Sequence, residues 1–427
     1  MVHHYKLKCH ACNAELEDDG FVLKCRYEHE DTLIVTQYSN KRFEPDVSAN
    51  DITRYRCWLP WLNKRNGAGR TITYKSESLN SLIGFPNLWI AFNGYWPEKG
   101  ATLETATFKE LEAYTVLSRF PAQSDKILVL ASAGNAAAAF AYLCSLNKIR
   151  CLIVIPQRGL QRMIFSQPLD PCVKVIAVSG FSDYYDAIKL AEHLSQQERY
   201  FNEGGVKNVG RRDGIGTTML NAAETIGRLP DYYFQAIGSG TGGIAVHEAA
   251  KRLVADGRFG RKLPRLMLSQ NAPFTPMYDA WKVRRRALIE VEREAGKRQI
   301  EQIAADVLSN QRPPYSIKGG VFEALQESQG DMLVADNLEV RQAMKLFEDS
   351  EGIDIDPAAG VALATLLKAA KSHQIERDAL ILLHITGGGW QRHQLEEKLL
   401  PIRPDLLVEA TALFARETVE KVAQLLD

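Results

Sequence analysis

From about residue 125 onward, short apolar runs alternate with segments of helical period. Lys126-Ile-Leu-Val-Leu-Ala131 is apolar at almost every position, the pattern of a strand covered on both faces. An Ala-rich stretch around Ala136–Leu146 follows and predicts a helix. Two more strand runs are Cys151-Leu-Ile-Val-Ile155, stopped by Pro156, and Val173-Lys-Val-Ile-Ala-Val178, stopped by Ser179-Gly180. Asp183–Leu194 carries Tyr184, Ile188 and Leu194 at helical spacing. The alternation resumes with Tyr232-Tyr-Phe-Gln-Ala-Ile237, a helix from Ile244, Arg265-Leu-Met-Leu268 and Ala379-Leu-Ile-Leu-Leu-His384. Such alternation predicts an α/β protein with parallel twisted sheets wrapped by helices.

The first 45 residues break this pattern. Cys9-x-x-Cys12 is followed by Cys25 and then by His29, so that these residues form a zinc-ribbon-like β segment. A Cys₃His site, a ribbon that has lost its metal and plain reduced thiols all fit the spacing, and no bound metal is expected. Trp281–Ser309 is polar and helix-compatible, with acids among its bases, and reads as a surface helical insertion. The expected organisation is a segment of residues 1–45, a large α/β domain of residues 46–114 and 215–427, and a smaller α/β domain of residues 115–214 inserted into it.

Composition narrows the function classes. The 427 residues, 45% hydrophobic and 24% charged, are those of an ordinary globular protein of two or three domains. Lys+Arg and Asp+Glu both total 52, which disfavours nucleic acid or an anionic membrane as partner. Ile127 to Leu146 is the one stretch that mimics a membrane span, and Ser132, Gly134 and Asn135 in its middle argue for a strand, turn and helix instead. The start Met1-Val2-His3-His4-Tyr5-Lys6 carries no secretory pattern. Seven scattered cysteines suit reduced thiols, so a cytoplasmic setting is expected.

Four loops sit where open parallel sheets bind ligands. Gly238-Ser239-Gly240-Thr241-Gly242-Gly243 lies between a strand and a helix, where glycines and free helix N–H groups suit a phosphate. It also satisfies the dinucleotide pattern G-x-G-x-x-G, but the next strand ends Leu268-Ser269-Gln270 without the acid that would hold a ribose. A compact monophosphate fits better. Ser132-Ala133-Gly134-Asn135 opens the Ala-rich helix and suits a carboxylate, with Asn135 as either a cap or a ligand contact. Thr386-Gly-Gly-Gly389 is pressed against a ligand or neighbouring backbone. Lys109, after Thr105-Ala-Thr-Phe108, stands at the start of a helix and taken alone reads as surface.

The order of these loops resembles the pyridoxal-phosphate enzymes of fold type II, the tryptophan-synthase β group, over about residues 60–395. The resemblance implies a two-domain fold and pyridoxal 5'-phosphate as cofactor. It makes Lys109 the cofactor-linking and catalytic lysine, Ser132–Asn135 the substrate-carboxylate loop and Gly238–Gly243 the phosphate loop. Asn135 then lies beside the ring hydroxyl and Thr386 at the pyridine nitrogen. The cysteine segment and the length are similar to threonine synthases. The lysine neighbourhood departs from them, with Glu110-Leu111-Glu112-Ala113 where they have Asp-Arg-Gly. With Trp96-Pro97-Glu98-Lys99-Gly100-Ala101, it looks most like the cysteate synthases, a threonine-synthase-like branch.

That branch implies β-replacement of phosphate in O-phosphoserine by sulfite, with a sulfonate such as coenzyme M as the end product served. Threonine synthase or another phospho-amino-acid lyase is the alternative, and a non-catalytic ligand-binding regulator is a third reading that the intact Lys109 disfavours. Two anionic substrates call for cations in the pocket. Arg162 and Arg212 are the candidates placed there, among a wider set of Arg158, Lys207, Arg211, Arg392 and His393. A homo-oligomer is expected.

Overall fold

The computed structural model describes residues 4–425, and the opening residues Met1 to His3 lie outside them. Five strands, the central three buried at nearly every position, make an all-parallel sheet in the order Tyr200–Asn202, Ile127–Ala131, Cys151–Pro156, Val173–Ser179 and Leu406–Glu409. The second sheet has six strands, in the order Asp331–Ala335, Arg265–Asn271, Tyr232–Ala236, Ile381–Ile385, Leu88–Phe92 and Ile72–Lys75. Only the last of these runs antiparallel to its neighbour, with Ile72 opposite Phe92. The expected α/β class with parallel sheets is the observed one. Strands such as Cys151–Pro156 and Ile381–Ile385 are buried along their whole length, which is why they read as unbroken apolar runs.

Helices Lys109–Arg119, Asn135–Asn147, Val209–Ile226 and Thr241–Asp256 form the layer that joins the sheets, and their apolar faces share one core with the N-terminal segment. That segment is a three-stranded antiparallel sheet of Tyr5–Cys9, Glu15–Leu16 and Ile34–Tyr38. It is tied down by buried charge: Arg119 makes a bidentate pair with Asp18 at 2.7 Å, and the Tyr38 hydroxyl donates to Asp213 at 2.7 Å. No helix among the described residues is long and apolar enough to cross a membrane.

Three features differ from the sequence reading. Leu406–Glu409 leaves the large unit to pair with Val173–Ser179 in the five-stranded sheet, with Ile176 opposite Leu406. The Val209–Ile226 helix is continuous through residue 214, because both its ends pack in the shared core. The polar stretch from Trp281 also divides. Arg293–Gln302 is the helix, and residues 303–310 form an irregular, largely buried segment with a turn at 305–308. Ile303, Ala305 and Leu308 anchor that segment in the core, so it is no surface insertion.

Candidate active site

The loops at the carboxyl ends of the strands face one another across a cleft between the sheets. Its wall includes Phe108, Lys109, the turn Ser132 to Asn135, Tyr184, Arg211, Gly238 to Gly240, Gly242 and Thr386. Separate stretches of chain therefore converge on one cleft.

Lys109 is the first residue of helix Lys109–Arg119. Just ahead of it, Ala106 is held at φ +47°, a conformation that costs a non-glycine residue energy and persists only when its surroundings impose it. Those surroundings are the Thr386 loop: Gly388 N–H donates to Ala106 O at 3.0 Å and Phe108 N–H to Thr386 O at 3.0 Å. The lysine and the threonine are thus set by the same backbone contacts. Burial pushes the Lys109 amine below its usual pKa, while Glu112, whose Oε2 it reaches at 3.0 Å, opposes that shift. Glu112 is fully buried and also bound by Arg211, which forks onto Glu203.

The glycines of the phosphate-type loop are dictated by crowding. Gly240 carries φ +82°, and a Cβ on Gly243 would stand 2.7 Å from Leu268 Cδ1. Helix Thr241–Asp256 starts here, so its first-turn N–H groups have no carbonyl partner one turn back, and Gly242 of that turn lines the cleft. In the second turn, Ser132 is the cap: its Oγ accepts from Gly134 N at 3.1 Å and Ala137 N at 2.9 Å. Asn135 is thereby free of capping and sends Nδ2 toward Asp356 Oδ2 at 3.4 Å. Thr386 lines the cleft, whereas the three glycines after it press on protein, with a Cβ on Gly387 only 2.6 Å from Asp356 Oδ2.

The expected cations separate. Arg162 reaches Asp306 at 3.0 Å and Asp356 at 3.7 Å, with its stem against Gly134, and so packs behind the Ser132 turn. Arg212, expected at the substrate, is turned away: it is fully buried, binds Glu248 at 3.0 Å and donates to the Val206 and Ile34 carbonyls. Its neighbour Arg211 lines the cleft instead, because adjacent helical positions point about 100° apart. The cleft opens into a wider mouth lined by Lys207, Arg211 and Arg312. Arg158 has no part in either wall, and Arg392 is held by Glu98 and Glu396. His393 stacks on Tyr95 with ring centroids 4.1 Å apart.

Several site residues escaped sequence reasoning. Leu308 and Asn310 come from the irregular 303–310 segment, most of which the sequence reading placed in a helical stretch. Asp356 precedes Pro357 at a helix start, an N-cap signature that was available. His384 lies beneath the site, with its ring nitrogens 2.6 Å from Asn93 Nδ2 and from the Tyr233 hydroxyl. Burial drives its pKa down to about 3, so the ring is neutral and structural.

The cleft fits pyridoxal 5'-phosphate on this geometry. A partly enclosed amine shares the cleft with a glycine loop that opens a helix, and a hydroxyl stands on the same wall. The profile of the family described as pyridoxal-phosphate dependent enzyme matches residues 64–387. The chain is 43% identical over 403 residues to the cysteate synthase of Methanosarcina barkeri, covering 94% of this chain and 95% of that one. It is 45% identical over 408 residues to the cysteate synthase of Methanocella paludicola, covering 95% and 94%. Among solved structures, maize serine racemase superposes with a TM-score of 0.56 at 16% identity, covering 76% of this chain and 92% of that one. The chain therefore belongs to the pyridoxal-phosphate dependent enzymes and, within them, to the family of these cysteate synthases.

Proposed function

We propose that this chain converts O-phospho-L-serine and sulfite to L-cysteate and phosphate, with pyridoxal 5'-phosphate held in the cleft. The observation that carries this is the convergence of Lys109, the Ser132 turn, the Gly238–Gly243 loop and Thr386 on one space, in a chain that shares more than 40% of its residues with cysteate synthases. When bound, the cofactor draws electron density from the substrate Cα, which lets a proton leave there and phosphate leave from Cβ.

Each residue then has a task set by its position. The first-turn N–H groups of the Thr241 helix bind the cofactor phosphate. Lys109 holds the cofactor and moves the proton at substrate Cα, a task suited to an amine whose charge burial disfavours. The backbone of Ser132 to Asn135 binds the substrate carboxylate, with the Ser132 cap keeping that turn rigid. Thr386 offers the ring nitrogen a hydroxyl in place of a carboxylate, which favours expulsion of a β-substituent over racemisation. Arg211, with Lys207 and Arg312 at the mouth, attracts the phosphate ester and sulfite. Arg162 ties the smaller unit to Asp306 and Asp356 across the cleft, and closure of that unit, residues 115–214 joined by the 406–409 strand, excludes water.

The enzyme works in the cytoplasm as a homo-oligomer and serves the synthesis of a sulfonate. Phosphate release from O-phosphoserine that requires sulfite and yields cysteate is the expected result. Release independent of sulfite, or turnover of phosphohomoserine instead, would replace this reading with a lyase or a threonine synthase.

A further inference from the structure

The N-terminal segment holds a cluster that the cleft chemistry does not use. Cys9, Cys12, Cys25 and His29 bring their ligand atoms within 4.8 Å of one another. Cys12 Sγ lies 3.7 Å from Cys25 Sγ, and Cys9 Sγ lies 3.3 Å from His29 Nε2. With Zn–S about 2.3 Å and Zn–N about 2.0 Å, a tetrahedron spaces two sulfurs about 3.8 Å apart and a sulfur and nitrogen about 3.5 Å apart. The two closest pairs thus already lie near tetrahedral edges.

We propose that Cys9, Cys12, Cys25 and His29 bind one zinc ion in a closed tetrahedral site. Three further observations support it. Cys9 and Cys12 sit on a tight knuckle, closed by Asn13 N–H donating to Cys9 O at 3.0 Å and by Cys9 N–H donating to Ala14 O at 3.0 Å, with Asn13 at φ +59°. This turn aims both sulfurs to one side. His29 Nδ1 lies 2.9 Å from Glu30 O, so the Nδ1–H tautomer donates there and leaves the Nε2 lone pair facing the sulfurs, the outer hydrogen bond that orients ligating histidines. Cys9 and Cys25 are buried while Cys12 and His29 are exposed, which gives the ion both an enclosed seat and an entry path.

The stretch between strands Glu15–Leu16 and Ile34–Tyr38 also needs such a fastening. It has no helix or strand of its own, and loops this long are rare in compact domains unless functional. Asp18 pins its start to Arg119, and the Cys25 and His29 ligands pin its far half. Beyond them the chain docks on the cleft rim, where Leu33 N–H donates to Lys318 O at 3.0 Å and Lys318 N–H to Asp31 O at 3.1 Å. Glu30 and Asp31 line the wider mouth. The ion is a structural staple that fixes one lip of the cleft. Three thiolates and one imidazole select zinc over magnesium or calcium.

The test is metal analysis of the full-length holoenzyme purified without chelator. About one zinc per chain is expected, falling to less than about a fifth of that in Cys25→Ser and in His29→Ala. Protein grown with cobalt should show the intense red-region d–d bands of a tetrahedral thiolate site, clear of the cofactor's absorption. Chelation should open the loop of residues 17–33 to limited proteolysis. Wild-type protein that stays zinc-free after incubation with zinc and a reductant would overturn the site, as would zinc retained in both variants. Iron in place of zinc would overturn the choice of metal. If the variants do not fold, the wild-type zinc content and cobalt spectrum decide alone.

Discussion

Lys109 Nζ donates to Glu112 Oε2 at 3.0 Å, one helical turn on, and Glu112 in turn holds Arg211 at the cleft wall. The amine at the centre of the site is therefore paired with a carboxylate that has no exposure of its own. Two influences oppose each other on it: burial lowers its pKa and Glu112 raises it, with burial the larger. Removing the carboxylate leaves burial and Arg211 acting in the same direction. Glu112→Gln should move the acid limb of the pH–kcat profile to lower pH, since the amine released from the cofactor in the substrate complex loses its proton earlier. An unmoved acid limb with full cofactor content would show that Glu112 does not set the amine's proton affinity.

Lys109→Ala should abolish the cofactor's visible absorbance in purified protein and cut turnover by at least about 10²–10⁴-fold. Absorbance spectra and the sulfite-dependent phosphate assay check both effects on one preparation. A coloured variant retaining wild-type turnover would move the chemistry to another amine.

Thr386 shares its backbone contacts with the lysine turn through Phe108, so a change in its side chain tests the hydroxyl without a change in the loop. Thr386→Asp should hold the ring nitrogen protonated and raise racemisation or transamination relative to cysteate formation. Product partition by chromatography measures it, and an unchanged ratio removes the argument from the hydroxyl. Thr386→Ser should keep the wild-type partition.

Asp18 and Arg119 join the zinc-ribbon-like segment to the far end of the Lys109 helix, and both are fully buried. Asp18→Asn leaves the guanidinium uncompensated and should cost about 3–5 kcal/mol of stability. Urea denaturation measures this loss. A cost below about 1 kcal/mol, typical of exposed pairs, would mean that water reaches the pair.

What the sequence made legible followed physical rules that act locally. Buried parallel strands must be apolar throughout, so Cys151–Pro156 and Ile381–Ile385 could be read directly. Glycines that cannot accept a Cβ, such as Gly240 and Gly243, mark their loop whatever lies around it. The rest depends on contacts far apart in the chain. Whether Arg211 or Arg212 faces the cleft turns on the rotation of a helix that is buried nearly all round, which leaves no amphipathic pattern to fix it. The 303–310 segment has helix-compatible residues but is held out of a helix by Asn271 and Asn337, whose side chains accept from Ala305 N and Ala304 N. Leu406–Glu409 joins a sheet whose nearest strand ends at residue 179, a pairing no local signal announces. Ser132 caps its helix and Asn135 turns to Asp356, a choice the sequence left open because both residue types serve either purpose.

Glu110, next to the lysine, gives the protein a stability that falls as pH rises. Its carboxyl is buried, accepts from Thr105 N–H and from the Thr105 hydroxyl at 2.8 Å, and is pushed by burial from an ordinary 4.5 up to about 8. The folded protein therefore binds a proton here over a range in which the unfolded chain has released it. Its contribution is complete below about pH 4.5 and is lost progressively as pH climbs through about 8. The slope from this one group is at most about 1.4 kcal/mol per pH unit. Glu110→Gln keeps a neutral group of the same shape and removes the titration. Urea midpoints taken from about pH 5 to about pH 8.5 should fall for the wild type and stay nearly level for the variant, after the shared background is subtracted. Parallel curves would mean that the carboxylate is already ionised in the folded protein, paired with a cation or water that reaches it beside Lys109.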